Sequence, residues 1–325
     1  MTFPLTAAVI AVLGCLIVGR SAEFLVRRMR PAQGVLLVTA ASLAVSLATG
    51  AALTAIAVAV VAGLSSVAAD GHWSAAVIKA EVPIPGWLGA VAALAVVVLL
   101  VRAAIRTSVI VAALVRADRL CRGIRAGGGP IVIVDDESAD AFTVAGLRGC
   151  VVISQRLFAE LSSVERRVLT AHELSHLNNR HHLFVHLTDI AAAANPLLKP
   201  ASAAVRLGVE RWADEDAASG IGDRRLAGRA VARVALLRSS LAASAAGRPS
   251  PRVSGRPVAV LGVAALQVTS RVQALLQPAP RRRTGRLAVA VALALAVLVV
   301  GLASLDHIHE AIESAAPIVH HQLRH

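Results

Sequence analysis

The run His172-Glu173-Leu174-Ser175-His176 matches the pattern HExxH, the strongest chemical signal in the sequence. Residues four apart share one face of an α-helix, so both imidazoles can bind a single metal ion. Glu173 adjoins the first ligand, where its carboxylate can act as a general base on a water molecule. The pattern therefore predicts metal-dependent hydrolysis, with His172 and His176 as metal ligands and Glu173 as the catalytic residue.

A catalytic zinc site uses three protein ligands and keeps one position open for water or substrate. Glu210 and Asp214 are also four residues apart, so they share a face of a later helix. We predict that Glu210 is the third ligand and that Asp214 accepts a hydrogen bond from the outer nitrogen of a zinc-binding histidine. The alternative is a solvated acidic patch, because Glu215 and Asp216 follow directly. The predicted cofactor is one Zn²⁺ per chain.

The elements that must position these residues follow from local patterns. Ser162 and Glu165 match a capping box, which predicts the start of the helix that carries HExxH. β-branched residues predict three short strands before this helix, at 131–134, 141–145 and 150–154. Further helices are predicted at about 181–194, 201–219, 224–243 and 258–276. Strands followed by helices indicate an α+β domain.

The composition indicates that this domain belongs to a membrane protein. Hydrophobic residues make up 56% of the 325 residues, charged residues only 16%, and the mean hydropathy is +0.69. These values exclude a disordered chain, and three cysteines exclude a disulfide scaffold. Transmembrane helices are predicted at about 3–19, 35–64, 85–101 and 287–305; the first, third and fourth are just long enough to span a bilayer, and the second is longer than one span requires. Residues 34–69 are uncharged and are interpreted as one long helix rather than two.

The distribution of charge predicts the orientation. The net charge is +13, and residues 102–286 hold 27 basic against 14 acidic residues, which accounts for the whole excess. The positive-inside rule then places 102–286 in the cytoplasm and both termini outside, with 306–325 as a short extracellular His-rich tail. The basic surface suits the anionic lipid bilayer. Direct nucleic-acid binding is not expected, because no stacking aromatics accompany the charge.

HExxH followed by Glu210-x-x-x-Asp214 resembles the gluzincin metallopeptidases. Residues 136–154 and the following helix, 161–181, resemble the core that the membrane families M48 and M56 share. The layout of three spans, a cytoplasmic gluzincin-like metalloprotease domain and a fourth span resembles M56, the family of the antibiotic-sensing transducers BlaR and MecR. This resemblance implies a signal-transducing zinc endopeptidase whose protein substrate is itself or a BlaI/MecI-like transcriptional repressor.

The resemblance also implies a mode of substrate binding, and the sequence departs from it in two ways. Gluzincins bind substrate along an edge strand, which corresponds here to Ala141, Phe142, Thr143 and Val144. After the last predicted span, 306–325 stands in place of the large extracellular penicillin-binding domain of the sensors.

The second departure concerns the side chain that stabilises the oxyanion, which in gluzincins is often a Tyr or a His. The chain has no Tyr for this role, which leaves an Arg in 211–271, backbone NH groups, or His181, His182 or His186. His181 and His182 are otherwise expected to be structural, as imidazolium groups that suit the C-terminal dipole of the HExxH helix.

Two other functions stay open at this point. A quality-control membrane protease of M48 type would be favoured by spans after HExxH, within 183–220, but 183–198 is short and contains Asp189. A non-catalytic membrane receptor stabilised by zinc is the second alternative. Glu173 argues against the receptor, because a purely structural zinc site needs no base.

Overall fold

A computed structural model of the protein describes residues 2–124, 129–135, 141–144, 149–245, 259–279 and 284–316. Several predicted features lie outside the described residues: the end of the second predicted strand at Ala145, part of the 136–154 resemblance, and residues 317–325 of the predicted tail.

Twelve α-helices and three strands form the described fold. In chain order they are α1 (Phe3–Arg28), α2 (Pro31–Ala62), α3 (Ser65–Gly71), α4 (Ala75–Glu81), α5 (Gly86–Ile124), β1 (Ile131–Val134), β2 (Ala141–Val144), β3 (Cys150–Ser154), α6 (Gln155–Glu160), α7 (Ser163–Asn178), α8 (His181–Ala194), α9 (Lys199–Ile221), α10 (Arg224–Ala245), α11 (Ala259–Leu276) and α12 (Thr284–Ala315). A short 3-10 turn, Pro196–Leu198, joins α8 to α9.

The prediction of four membrane-crossing helices is confirmed. α1, α2, α5 and α12 are each long and apolar enough to cross a bilayer, as judged by length and composition. The uncharged 34–69 stretch forms one crossing helix, α2, followed by the short helices α3 and α4. A proline stands in the first turn of both α1 and α2, where its missing N–H leaves no helical hydrogen bond unmade.

The fourth apolar helix packs closely along the second. A Cβ atom on Gly301 of α12 would lie 2.6 Å from the Cα atom of Ala48, so only glycine permits this approach. α12 continues beyond the predicted span into the segment predicted as a tail. There Ile308 and Ala311 are buried against Ala55 and Ala59 of α2. The first ten residues of the predicted tail are therefore helical and packed.

A small sheet supports the helix that contains HExxH. The strand order is β1-β3-β2, with β1 parallel and β2 antiparallel to the central strand β3. Every residue of β3 is buried, as its β-branched run suggests. Leu169 of α7 packs with Val151 and Ile153 of β3 in one core cluster. This packing sets α7 across the sheet next to the edge strand β2.

The helices after HExxH enter the bundle of apolar helices. Ala201 and Val205 of α9 are fully buried with Val26 of α1 and Val35 of α2. At the turn between α8 and α9, the Asn195 side chain donates to Cys15 Sγ at 3.0 Å and to Thr49 Oγ1 at 3.4 Å. Residues 102–286, predicted as one cytoplasmic block, thus contain a helical hairpin that packs between the spans. We call α8, the 3-10 turn and α9 the hairpin.

Candidate metal and catalytic site

The helix that carries HExxH begins as predicted. Ser162 N donates to Glu165 Oε2 at 2.8 Å, and Glu165 N donates to Ser162 Oγ at 3.4 Å, so the capping box is complete. α7 is then fixed against α9, since Ser175 Oγ donates to Asp216 Oδ2 at 2.7 Å and Asn179 Nδ2 donates to the same oxygen at 2.9 Å. Asp216 is therefore paired with α7, which argues against the alternative of a solvated acidic patch.

The three predicted ligands lie together between α7 and α9. One ligand atom from each of His172, His176 and Glu210 lies within 4.8 Å of the others. The two Nε2 atoms are 3.2 Å apart, and the Glu210 carboxylate is 3.5 Å from His176 Nε2 and 3.7 Å from His172 Nε2. Two imidazole nitrogens and one carboxylate are a donor set that fits a catalytic zinc ion.

Each histidine of the pair has a neighbouring side chain close to its outer nitrogen. His172 Nδ1 lies 3.0 Å from Oδ1 of Asp214, which is only 2% exposed. His176 Nδ1 lies 2.9 Å from His181 Nδ1. A histidine that binds metal through Nε2 carries its proton on Nδ1, so Asp214 and His181 must be the acceptors. With a metal ion on Nε2, these neighbours would favour the tautomer of each imidazole that is protonated at Nδ1.

The expectation that His181 is an imidazolium at the C-terminus of the HExxH helix is wrong. His181 is 1% exposed and begins α8 rather than ending α7, because Arg180 turns the chain with a φ of 50°. Burial, together with the neighbouring His176, lowers the pKa of His181 to about 3, so the ring is neutral at pH 7. A neutral ring can accept the His176 proton at Nδ1.

Arg271 of α11 joins the acidic residues of the site. Its Nε and Nη2 atoms each donate to the Asp214 carboxylate at 2.7 Å, and its Nη1 atom lies 2.8 Å from Glu210 Oε2. Burial alone would raise the pKa of Asp214, but the Arg271 charge and hydrogen bonds hold it well below its usual range. The pKa of Glu210 is lowered for the same reason. Both carboxylates are thus anionic, as a ligand and its supporting acceptor must be.

The predicted base, Glu173, is held by the edge strand. Thr143 Oγ1 lies 2.9 Å from Glu173 Oε2 and 2.9 Å from the Glu173 carbonyl oxygen. Ala141, Phe142 and Thr143 line an open cleft of about 890 Å³ that also exposes the three predicted ligands. Val144 was predicted as part of the same substrate-binding strand. It packs in a buried cluster instead and does not line the cleft.

The contacts around the cleft reduce the number of side chains that could stabilise the oxyanion. Arg271 is engaged by two carboxylates, and His181 is engaged by His176. His182 and His186, one turn apart on α8, both line the cleft. His186 Nδ1 is buried and has no hydrogen-bond partner among the described residues. Of the three histidines considered for this role, His182 and His186 are therefore the ones best placed to meet a substrate.

Sequence reasoning missed three functional contacts. His181 was assigned a structural role, Arg271 was only one of several arginines considered, and Thr143 was predicted for substrate rather than for Glu173. No local signal identifies these partners, because each contact joins elements that are distant along the chain.

A family model described as peptidase family M48 matches residues 116–281, just over half of the chain. No curated protein and no solved structure matches the sequence. The M48 match contradicts the resemblance to M56, which rested on the order of spans and domain. The order of spans pointed to the wrong family because it did not reveal the hairpin. α8 has 14 residues, too few to cross a bilayer alone, and it enters the bundle together with α9. The BlaI/MecI-like substrate was implied by M56 alone and loses its support.

Proposed function

This chain belongs to peptidase family M48, and we propose that it is a zinc-dependent endopeptidase that cleaves extended segments of membrane proteins at the cytoplasmic surface. Its four apolar helices and its family make it a multi-pass membrane metallopeptidase. The observation that carries the proposal is the convergence of His172, His176 and Glu210 in a cleft that also contains Glu173.

The three converging residues would hold the zinc ion. When bound, zinc supplies Lewis-acid polarisation of the scissile carbonyl and of water. Asp214 and His181 orient the two imidazoles through their outer nitrogens, and Arg271 keeps Asp214 charged. The three residues line the cleft, which would give water or substrate access to the ion, as a catalytic site requires.

Glu173 performs the proton transfers in this proposal. Its carboxylate takes a proton from the attacking water as the new C–O bond forms, and delivers it to the amine nitrogen as the C–N bond breaks. Thr143 supports this role, because its hydroxyl fixes the carboxylate from the side of the edge strand. His182 or His186 would donate to the oxyanion, which is consistent with their place in the cleft wall.

We infer that the substrate backbone adds to the sheet at β2. One edge of β2 pairs with β3, while the other is the edge of the described sheet beside the cleft. An extended peptide can hydrogen-bond to such an edge without a specific sequence. Phe142 and Thr143 would form this binding strand, whereas the Ala141 carbonyl oxygen already accepts a hydrogen bond from Arg238 and the buried Val144 would not contact substrate.

The preference for membrane proteins rests on the position of α9. Gly208, two residues before Glu210, packs against Val26 of α1 and Val35 of α2. Arg211 donates to the Val26 carbonyl oxygen, so the ligand-bearing turn touches the ends of two spans. The basic loop between these spans supports a cytoplasmic position by the positive-inside rule. This location favours the quality-control role, in which segments that emerge from the bilayer are cut.

Proteoliposomes test the proposal directly. Two substrates share one unstructured peptide, which is either free or anchored by a single transmembrane helix. We expect the anchored peptide to be cut faster, both reactions to stop after zinc chelation, and both to return with added zinc. Cleavage that survives chelation would contradict the zinc mechanism, and equal rates would contradict the preference for membrane proteins.

A further inference from the structure

A second cavity, of about 230 Å³, lies between α5 and the hairpin. Its lining residues include Arg102 and Arg106 of α5, Asp189 of α8, and Lys199 and Ser202 of α9. None of them lines the catalytic cleft. The cavity is therefore distinct from the proposed active site, and the family match assigns no role to it.

One carboxylate in this cavity already has three donors. Arg106 and Arg206 both donate to Asp189 Oδ2, and Ser202 Oγ donates to Asp189 Oδ1 at 2.5 Å. The Asp189 side chain is only 7% exposed, while those of Arg106 and Arg206 are 40% and 51% exposed. The buried acid thus anchors the two guanidinium groups, and much of each remains open to a further anion.

Two more cations line the same cavity, and neither has an acidic partner among the described residues. Arg102 donates its Nε–H to the Ala193 carbonyl oxygen at 3.1 Å, which leaves its charge unneutralised. Lys199 is exposed and forms no ion pair within the described part of the chain. Three basic side chains therefore line the cavity with one carboxylate, and Arg206 contacts that carboxylate from beside the cavity. Guanidinium and ammonium groups in this number suit a phosphate.

The surroundings indicate what carries the phosphate. Arg102 is the first charged residue after the apolar stretch of α5, so the cavity lies at the predicted cytoplasmic boundary of the hydrocarbon. Val98, Val101 and Ile105 of α5 are 46%, 51% and 60% exposed on either side of Arg102 along the chain. A charged cavity bordered by exposed apolar side chains fits an amphipathic ligand. We propose that this cavity binds the phosphate of an anionic phospholipid headgroup.

A lipid in this position would bridge a membrane span and the hairpin. Its headgroup would contact both α5 and α9, while its acyl chains would lie along the exposed apolar face of α5. Basic pockets between transmembrane helices on the cytoplasmic side are suited to such headgroups. Free inorganic phosphate could bind the same basic groups, but it has no acyl chains to contact the exposed apolar side chains of α5.

Native mass spectrometry of the full-length protein in detergent measures the binding. Phosphatidylglycerol is titrated against zwitterionic phosphatidylcholine, with wild type compared to the double variant Arg102→Gln/Lys199→Gln. The matched control, Arg116→Gln/Arg119→Gln, removes the same charge from exposed positions further along α5. Each basic residue near anionic lipid contributes roughly a 5-fold change in affinity, so the pocket variant should bind phosphatidylglycerol roughly 30-fold more weakly. The control variant and phosphatidylcholine binding should change little.

Two further measurements keep the result decisive. Lys199→Gln alone breaks no hydrogen bond described here, so it should lose roughly 5-fold in affinity without a change in thermal midpoint. Excess inorganic phosphate should not displace the lipid. Equal affinities in wild type and both pocket variants would overturn the proposal. Displacement of the lipid by phosphate would also overturn it and assign the cavity to a free anion.

Discussion

The contact between Thr143 and Glu173 leads to a prediction that separates catalysis from metal binding. Thr143→Val removes the hydroxyl that lies 2.9 Å from Glu173 Oε2 but keeps the side-chain volume and the β-branched shape. Thr143 touches none of the three predicted zinc ligands, and its backbone position in β2 is preserved. The variant should therefore fold and bind zinc as wild type does, yet hydrolyse peptide bonds more slowly.

The size of the effect follows from the geometry. A hydrogen bond to a charged group is worth about 1.5–3 kcal/mol, which corresponds to roughly 10–150-fold in rate if it is lost only in the transition state. The single hydroxyl hydrogen of Thr143 is shared between two Glu173 oxygens, both 2.9 Å away. Only part of the bond therefore serves the carboxylate, and we expect about a 10-fold decrease in kcat, at the lower end of this range.

The assay measures kcat and zinc content on the same purified samples. Thr143→Ser is the matched control, because it retains the hydroxyl and should keep kcat within about 3-fold of wild type. An unchanged kcat in Thr143→Val would refute the positioning role. Zinc loss in that variant would show that β2 supports the metal site rather than the base.

Other contacts give predictions of the same kind. Asp214→Ala should weaken zinc affinity by about 10–100-fold in chelator competition. His181→Phe should do the same, because it keeps a ring but has no nitrogen to accept the His176 proton. Unchanged zinc affinity in either variant would contradict the role of that residue. Arg271→Gln leaves the buried Asp214 carboxylate without its cation, so the unfolding free energy of the zinc-free protein should fall by roughly 3 kcal/mol. A stable variant would show that Asp214 is neutral. Asn195→Leu should lower the unfolding free energy by about 1 kcal/mol in a detergent titration, because it removes contacts at the hairpin turn; no change would mean that apolar packing alone holds the turn.

Local patterns were sufficient to predict the residues that share a helix face. HExxH lies on a helix whose capping box occupies four consecutive positions, so both its start and its metal-facing side are encoded within about twenty residues. Glu210 and Asp214 satisfy the same four-residue spacing on α9, and each reaches His172. Their roles as ligand and acceptor remain proposals, but their meeting at one point was predictable.

Contacts between distant elements were not predictable in this way. Arg271 lies 57 residues beyond Asp214 in sequence, and nothing in α11 distinguishes it from other arginines. His181 becomes the partner of His176 only because Arg180 adopts a left-handed conformation that reverses the chain between α7 and α8. Such features depend on tertiary packing, which periodicity does not report.

The hairpin explains why the order of spans and domain indicated M56 rather than M48. Asp189 argued against any membrane role for 183–198, since an isolated carboxylate is costly in hydrocarbon. In the structure, Arg106, Arg206 and Ser202 satisfy that carboxylate from neighbouring helices. The core shared by M48 and M56 could not distinguish the families. The order of spans and domain took no account of the hairpin, which packs against the spans.

We propose that Glu173 is the general base beside a zinc ion held by His172, His176 and Glu210. The most direct test compares zinc stoichiometry and peptide hydrolysis in wild type and Glu173→Gln, reconstituted in the same lipid. The amide keeps the size of the side chain but cannot accept a proton, so the variant should hold one zinc per chain and hydrolyse about 10²–10⁴-fold more slowly. Full hydrolysis by zinc-loaded Glu173→Gln would contradict the claim.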